Sequence, residues 1–294
     1  TFCLLLTPLL IETTLQLKRN PIPYLIGLAC ASNVGSAATI TGNPQNMIIG
    51  AASGIPFSGF FLALAPISLA GLVVVWGVIM LFYRQEFSRT NPLSIPAQSA
   101  QHPAAARFQI MRVLLVTAGM LTALLLGVPT ATAAFIAACL LLISRVNTPE
   151  MVFGEINWSL LVFFAGLFVI SGALELNGIT ARLFELVDVS KNMNTFSLSA
   201  YATLLSNLVS NVPAVLLLKP VILRLADPRA GWLTLAAAST LAGNLTLLGS
   251  VANLIVAEIA QAWRVELRFG EYTRAGIVIT LSTLLIAVGW RSWG

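Results

Sequence analysis

The stretch SNVGSAATITGNPQNMI, residues 32–48, lies inside a long apolar segment but carries glycine, asparagine and proline residues close together. Glycine and proline are unfavourable in a helix interior, whereas asparagine followed by proline is a favourable helix start. We therefore predict a break at 39–46, with Asn43 as the cap of a new helix and Pro44 as its first residue.

The same stretch returns in the second half of the chain as STLAGNLTLLGSVANLI, residues 239–255. Five residues recur at an offset of 207 positions: Ser32, Thr39, Gly42, Asn46 and Ile48. Upstream, LLLTP ending at Pro8 matches LLLKP ending at Pro220, and downstream FSGF at 57–60 resembles FGEY at 269–272, each at an offset of 212. Three landmarks in the same order indicate an internal duplication.

The duplication also predicts sequence upstream of Thr1. In the second copy, three apolar spans and the first arm of a hairpin precede the motif SNLVSNVP at 206–213. The first copy begins just after the position equivalent to Asn211. We therefore expect the complete protein to carry roughly 100 further N-terminal residues, including the tip of the first hairpin.

Composition indicates a polytopic membrane protein of the all-α class. The 294 residues are 57% hydrophobic and 9% charged, with a mean hydropathy of +0.89. Apolar segments recur near the ~20 residues that cross a bilayer as a helix, which favours a helical bundle over a barrel. The formal charge of +5 comes mostly from residues between these segments. The expected partner is therefore the lipid bilayer and not nucleic acid.

The apolar segments divide the chain into two repeats. They are 1–17, 21–52, 57–83, 109–126, 130–144, 157–177, 195–225, 231–260 and 275–290. We assign 1–83 to the C-terminal part of a first repeat, 84–108 to a cytoplasmic linker, and 109–294 to a second repeat. Amphipathic stretches at 179–187 and 263–272 are expected at the membrane interface.

Two further interruptions, at 206–213 and 243–253, resemble the break at 39–46. Non-helical backbone at membrane depth is tolerated only where it is buried in protein or lines a wet cavity. Ser250 and Asn211 are expected to cap the helices that restart there. The restarting helices direct positive dipole ends toward an anion, and the ending helices present carbonyls to a small cation. Broken helices, repeats and midplane sites together are typical of secondary transporters.

The matched breaks place four asparagines in the site: Asn46, Asn211, Asn244 and Asn253. Of these, Asn46, Asn211 and Asn253 are predicted to bind the substrate. For Asn33 and Asn207, a hydrogen bond between helices explains the residue equally well. If 1–17 and 195–225 are re-entrant hairpins, most of the sixteen basic residues lie on the linker side, which should be cytoplasmic. The repeats are then inverted across the membrane, as alternating access requires.

The motifs SNVGSAATITGNPQN, STLAGNLTLLGSVAN and SNLVSNVP resemble those of the ion transporter superfamily. This superfamily includes arsenical-pump permeases, sodium/proton antiporters and divalent-anion:sodium symporters, and the resemblance covers essentially the whole chain. It implies a homodimer and a cation site formed by Ser206, Ser210, Asn211, Asn244 and Gly249. Gly42 would face a second cation site. An anion would be approached by Asn43, Pro44, Asn211, Val212, Ser250 and Val251.

We expect a secondary transporter of the inner membrane that moves a small inorganic or organic anion, coupled to sodium or protons, with no other cofactor. The second repeat has Ser-Val-Ala-Asn where the first has Asn-Pro-Gln-Asn, so the substrate stays open among arsenite, sulfate, phosphate, dicarboxylates and citrate. Sodium/proton antiport through the same breaks is the alternative within transport.

Two other classes of function are less well supported by the residues. An enzyme is not expected, and no catalytic residue is assigned, because the single histidine lies in the linker and no carboxylates are paired at depth. A channel is a further alternative, because two half-helices with an Asn-Pro turn resemble aquaporins. The second break lacks the Asn-Pro-Ala pattern, however, and a static pore does not account for paired hairpins.

Overall fold

The structure is a computed structural model that describes residues 2–88, 104–143, 149–154, 156, 158–178 and 193–293. All regular elements within these residues are helices, which confirms the all-α prediction. The described residues form two compact units: those within 2–55, 60–88, 174–178 and 193–293, and those within 56–59, 104–143, 149–154, 156 and 158–173. All three predicted breaks lie in the first unit.

The first half of the chain contains five helices within its described residues: α1 (Phe2–Gln16), α2 (Pro21–Ser36), α3 (Pro44–Ser53), α4 (Phe57–Phe82) and α5 (Arg84–Phe87). Proline opens α2 and α3, where its missing N–H costs no helical hydrogen bond. Asn20 and Asn43 cap these helices by accepting the backbone N–H groups of Ile22 and Asn46. The apolar segment 21–52 therefore forms two helices.

The second half has the same design near its C-terminal end. Its described helices are α6 (Ala104–Leu125), α7 (Thr130–Ile143), α8 (Pro149–Gly154), α9 (Trp158–Leu176), α10 (Thr195–Val209), α11 (Asn211–Ile222), α12 (Pro228–Ala242), α13 (Val251–Ala262) and α14 (Phe269–Trp293). Asp227 caps α12 and Pro228 opens it, 207 positions after Asn20 and Pro21. The duplication therefore extends to the helix starts.

Two helix breaks occur at the predicted places. We call residues 37–43, between α2 and α3, the first break, and residues 243–250, between α12 and α13, the second break. Ser250 accepts the backbone N–H of Ala252 at 3.2 Å, which confirms that it caps α13. A short 3-10 turn, Leu247–Gly249, lies inside the second break.

The third interruption is a turn of one residue. Ser210 alone separates α10 from α11, and its φ of 75° is rare for a residue other than glycine. The prediction that Asn211 caps α11 is wrong, because Ser210 holds the cap position, without a side-chain cap bond, and Asn211 is already helical. The abrupt turn starts the helix one residue earlier than the motif indicates. We call residues 195–222, whose two helices contact each other and α12, the hairpin.

Helices from the two halves pack in reciprocal pairs. α1 contacts α13, and its counterpart α11 contacts α3. α2 likewise contacts α13, and its counterpart α12 contacts α3. Exchange of equivalent contacts is what a two-fold relation between two copies produces. α2 and α12 also contact each other, so the two breaks that follow them lie near one another.

Part of the predicted linker is helical. Residues 84–87 form α5, and residues 104–108 begin α6. The Glu86 side chain is buried and accepts the Asn20 backbone N–H at 3.2 Å, while Arg19 Nη1 lies 3.7 Å from its carboxylate. This start of the linker therefore packs against the turn between α1 and α2. Residues 89–103 and the amphipathic stretch 179–187 lie outside the described residues.

The helices α4 and α14 are long and apolar enough to cross a membrane by length and composition, over residues 57–82 and 269–290. The most apolar window of each is only 33% buried, and large side chains such as Leu62, Leu81 and Leu285 are exposed. Exposed apolar surface of this extent suits a lipid environment. α14 begins at 269, so the predicted interfacial stretch 263–272 provides its first turn as well as the connection from α13.

Candidate transport site

Two fully buried asparagines hold the breaks together. In the first break, Asn46 Nδ2 donates to the carbonyls of Ser36 at 3.2 Å and Thr39 at 3.0 Å. In the second break, Asn253 Nδ2 donates to the carbonyls of Gly243 at 2.8 Å and Thr246 at 3.1 Å. Each donor and each acceptor has its counterpart 207 positions away. Each asparagine thus binds one carbonyl at the last residue or C-cap of the preceding helix and one carbonyl further inside the break.

The backbone inside the two breaks follows the same path. Gly42 N donates to Thr39 O at 3.2 Å, and its counterpart Gly249 N donates to Thr246 O at 3.0 Å. A Cβ at Gly249 would lie 2.9 Å from Gly243 O, and a Cβ at Gly42 would overlap the equivalent carbonyl of Ser36. Glycine is therefore needed at both positions for the close approach of backbone to backbone.

Side-chain hydrogen bonds link each break to the other half of the chain. Asn33 Nδ2 donates to Asn253 Oδ1 at 2.9 Å, and Thr240, at the position equivalent to Asn33, donates from Oγ1 to Asn46 Oδ1 at 3.4 Å. Ser250 Oγ donates to Asn33 Oδ1 at 2.8 Å. Reciprocally, Asn43 Nδ2 donates to Thr240 Oγ1 at 3.1 Å. Two copies of one bonding pattern therefore join the repeats.

The two halves of this network differ in strength. Asn33 Nδ2 also donates to Asn244 Oδ1 at 2.9 Å, so its side chain makes three bonds of 2.8 or 2.9 Å. The bonds of Thr240 range from 3.1 to 3.5 Å, the longest from Gln45 Nε2. The position equivalent to Asn244 is Ala37, which has no polar side chain. The network is therefore tighter on the side of the second break.

The hairpin carries polar atoms that the protein does not satisfy. In the described part of the chain, five buried side-chain oxygens lack a hydrogen-bond partner, and three of them are Ser206 Oγ, Asn207 Oδ1 and Asn211 Oδ1. The Ser206 and Asn211 side chains are only 1% and 8% exposed. Buried polar groups are nearly always hydrogen-bonded, and an unpaired one requires an explanation such as a bound ion or water.

The sequence profile of the citrate transporter family matches residues 1–242 of the chain. The chain belongs to this family. It is 30% identical to the silicon efflux transporter LSI3 of Oryza sativa subsp. japonica, over 98% of this chain and 74% of the relative. It is 28% identical to a 46 kDa membrane protein of Mycobacterium leprae, over 98% and 71%. It is also 24% identical to a putative transporter arsB of Dictyostelium discoideum, over 98% and 71%.

Membership of the citrate transporter family confirms the anion-permease resemblance and the polytopic membrane fold expected from the sequence. The relatives are transporters and not enzymes, so this family member transports a solute across a membrane. The coupling ion and the inner membrane stay predictions.

The structure packs the hairpin, which carries three of the predicted cation residues of this family member, against the second break. Ser206 and Asn211 lie on the hairpin, and Gly249 lies in the second break and faces Asn207. The Asn244 side chain points elsewhere, toward Asn33 and the Cys30 carbonyl, which its Nδ2 reaches at 3.5 Å. Two residues are exposed: Ser210 at the hairpin turn and Gly42 in the first break. Their roles stay predictions.

The predicted anion residues lie at the starts of three helices. Asn43 and Pro44 open α3, Ser250 and Val251 open α13, and Asn211 and Val212 open α11. Asn211 and Val212 are buried, Asn43, Pro44 and Ser250 are half-buried, and Val251 is exposed. The amide nitrogens of Asn46 and Asn253, also predicted to bind the substrate, instead donate to carbonyls of the breaks. Anion binding by all these positions stays a prediction.

Sequence reasoning left open the role of two residues that the structure makes central. Asn33, on the helix that leads into the first break, bonds Asn253 and Ser250 on the side of the second break. Asn207 joins the hairpin to α12 through the Ala242 carbonyl. A signal for Asn33 was present, since the offset of 207 pairs it with the polar Thr240. For Asn207 the sequence offers only its place in the motif SNLVSNVP.

Proposed function

We propose that this protein is a secondary active transporter that moves a small anion by alternating access, coupled to sodium or protons. The observation that carries the proposal is the pair of equivalent helix breaks joined by reciprocal hydrogen bonds. Beside them lies a hairpin with three unpartnered buried oxygens. Broken helices that meet between two repeats are the usual site of secondary transporters.

The anion is proposed to bind at the helix starts. The first turn of a helix has amide groups without intrahelical partners and a partial positive charge, and both favour an anion. α3, α11 and α13 all start in this region, with Asn43, Asn211 and Ser250 at or beside their first residues. Asn46 and Asn253 hold the loops in place, because their amides bind the loop carbonyls. A small carboxylate such as citrate, or an inorganic oxyanion, suits this chemistry.

The coupling cation is proposed to bind where the hairpin meets the second break. The predicted ligands there are Ser206, Ser210, Asn211, Asn244 and Gly249, and Gly42 faces the equivalent site of the first break. The described residues contain no cluster of three His, Cys, Asp or Glu that could hold a metal ion. The oxygens offered are therefore neutral amide, hydroxyl and backbone groups, which suit a sodium ion. The cation would offset the charge of the anion.

Alternating access follows if the two-fold axis lies in the membrane plane, so that the repeats are inverted. Each break would then open toward one side in turn. We place the linker on the cytoplasmic side of the inner membrane and propose a homodimer, in line with the superfamily resemblance. The division into repeats at 1–83 and 109–294 belongs to the same proposal. Cation/proton antiport is the second candidate, favoured by the unpartnered hairpin oxygens, which offer a cation ligands without requiring an anion.

Uptake into liposomes tests the proposal. The full-length protein is reconstituted and offered labelled citrate, sulfate, phosphate and arsenite, with and without sodium and pH gradients. We expect saturable uptake with counterflow for at least one anion, and loss of uptake in Asn211→Ala and Asn253→Ala without loss of membrane insertion. Flux that rises linearly with concentration would indicate a channel. Cation exchange with no anion uptake would favour antiport, and wild-type rates in both variants would remove the assigned site.

A further inference from the structure

We infer that Asn207 is a ligand of the coupling cation through its side-chain Oδ1, and that it takes the place assigned to Asn244 in the predicted set. The inference rests on the proposed function, because it names a residue of the proposed cation site. It follows from three observations: how the Asn207 amide is held, what its oxygen faces, and where the Asn244 side chain points instead.

The orientation of the Asn207 amide is fixed by two hydrogen bonds. Its Nδ2 donates to Thr203 O at 3.0 Å, on its own helix, and to Ala242 O at 3.1 Å, in the last residue of α12. Exchanging the oxygen and the nitrogen would set Oδ1 against both carbonyl oxygens, which is repulsive, so the network decides the assignment. Oδ1 must therefore point away from these carbonyls.

The oxygen so placed faces the second break and is buried without a protein partner. A Cβ at Gly249 would lie 3.2 Å from Asn207 Oδ1 and 2.9 Å from Gly243 O. The absence of a side chain at Gly249 therefore leaves Oδ1 open toward the backbone of the break. Ser206 Oγ and Asn211 Oδ1, on the same hairpin, are also buried and unpartnered. An oxygen that is fixed, buried and without a protein partner is preorganised for a cation.

Asn244 does not offer its side chain to the same place. Its Oδ1 accepts from Asn33 Nδ2 at 2.9 Å and its Nδ2 reaches the Cys30 carbonyl at 3.5 Å. Both partners lie on α2, in the other half of the chain. Asn244 therefore joins the repeats, and the amide oxygen available to the second break comes from the hairpin. A motion of the hairpin would carry the Asn207 oxygen away from the break, which would link cation release to that motion.

The test measures sodium binding by purified full-length protein. Equilibrium binding of sodium-22 is combined with melting temperatures in sodium chloride and in choline chloride at equal ionic strength. A ligand that binds only the folded state raises the melting temperature, and the rise reports its affinity. We expect sodium to stabilise the wild type, and Asn207→Ala to bind sodium at least tenfold more weakly and to lose the sodium-dependent rise. Thr203→Ala is the matched control, because it keeps the Thr203 carbonyl and alters the hairpin one turn away; it should bind sodium like the wild type.

A second variant covers the case in which Asn207→Ala folds poorly. Asn207→Asp keeps an oxygen but makes it ionisable, so sodium binding should become dependent on pH and rise as the new carboxylate loses its proton. A purely structural role would change the melting temperature without creating this dependence.

The inference is overturned if folded Asn207→Ala binds sodium as the wild type does, or if Asn207→Asp binds it independently of pH. Wild-type protein that binds no sodium would also overturn the inference. It would indicate that Ser206 Oγ, Asn207 Oδ1 and Asn211 Oδ1 bind water instead of a sodium ion. In that case saturable anion uptake driven by a pH gradient would leave the proposed function standing in its proton-coupled form. Sodium binding that depends on Asn207, together with failure to take up any anion, would instead reject the proposed anion transport alone.

Discussion

Replacing Asn33 by alanine should weaken the connection between α2 and the second break, because this side chain makes three hydrogen bonds of 2.8 or 2.9 Å to the other repeat. Asn33 Nδ2 donates hydrogen bonds to Asn244 Oδ1 and Asn253 Oδ1, and Asn33 Oδ1 accepts one from Ser250 Oγ. The side chain is 6% exposed, so water does not easily replace it. The substitution removes the hydrogen-bond partner of the Asn244 and Asn253 side-chain oxygens and of the Ser250 hydroxyl.

The expected loss of stability follows from the number of bonds. Side-chain hydrogen bonds between membrane helices average about 0.6 kcal/mol each and reach about 1.7 kcal/mol. Three such bonds give a loss of about 2 kcal/mol, and buried groups left unpaired raise it further. A loss of about 2 kcal/mol lowers the melting temperature by roughly 4–8 °C for a chain of this size. Uptake should fall by at least about tenfold, because Asn253 and Ser250 lose the partner that positions them.

Thr240→Ala is the matched control, since Thr240 holds the equivalent position in the other repeat. Its hydrogen bonds to Asn43 and Asn46 measure 3.1 and 3.4 Å, so its removal should cost less, about 1 kcal/mol. Both variants are compared by thermal unfolding of the purified protein and by liposome uptake. A melting temperature and an uptake rate that stay at wild-type values in Asn33→Ala would refute the reasoning. A larger loss in Thr240→Ala than in Asn33→Ala would also contradict it.

Two further predictions concern the second break and the end of α4. Gly249→Ala should reduce uptake at least about tenfold, because a Cβ 2.9 Å from Gly243 O forces the loop to move. Gly77→Ala is the control and should transport normally, because nothing lies within 4 Å of a Cβ at Gly77. Equal uptake rates in the two variants would refute the close-approach argument. Burial of the Tyr83 phenol, and second the nearby charge of Glu271, raise the pKa of Tyr83 above its ordinary value of 10.0. The neutral phenol therefore stabilises the folded state fully below pH 10, and this stabilisation declines as the pH rises further. The melting-temperature difference between wild type and Tyr83→Phe should therefore be constant near neutral pH and shrink above pH 10, and a difference that grows there would contradict the assignment.

The helices and the breaks could be read from the sequence because each depends on local chemistry. Asn43 followed by Pro44 favours a helix start through local chemistry alone, and the offset of 207 pairs Asn46 with Asn253 without knowledge of the fold. The reading failed at Asn211, because a turn of one residue at Ser210 requires a positive φ that the residue type does not announce. A glycine at this position would have indicated a turn with positive φ, whereas a serine does not.

The contacts of the site could not be read from the sequence, because they join residues far apart in the chain. Asn33 and Asn253 are 220 positions apart, and their bond depends on how α2 packs against α12 and α13. The free oxygen of Asn207 depends on the position of the Ala242 carbonyl, at the end of another helix. The sequence thus names the polar residues at a break, but tertiary packing decides which are paired and which are left for a ligand.

The chemistry of the network indicates how the site can be both rigid and switchable. The groups that join the two breaks are neutral amides and hydroxyls, and bonds between such groups in membranes are worth only about 0.6 kcal/mol each on average. Several such bonds together hold one arrangement, yet each of them costs little to break. A charged pair in the same place would lock the repeats more tightly and would compete with the transported ions for the same ligands. Because this network is neutral, an ion bound at the proposed site would introduce charge where the network has none. Under the proposed mechanism, its binding would decide which arrangement the two repeats adopt.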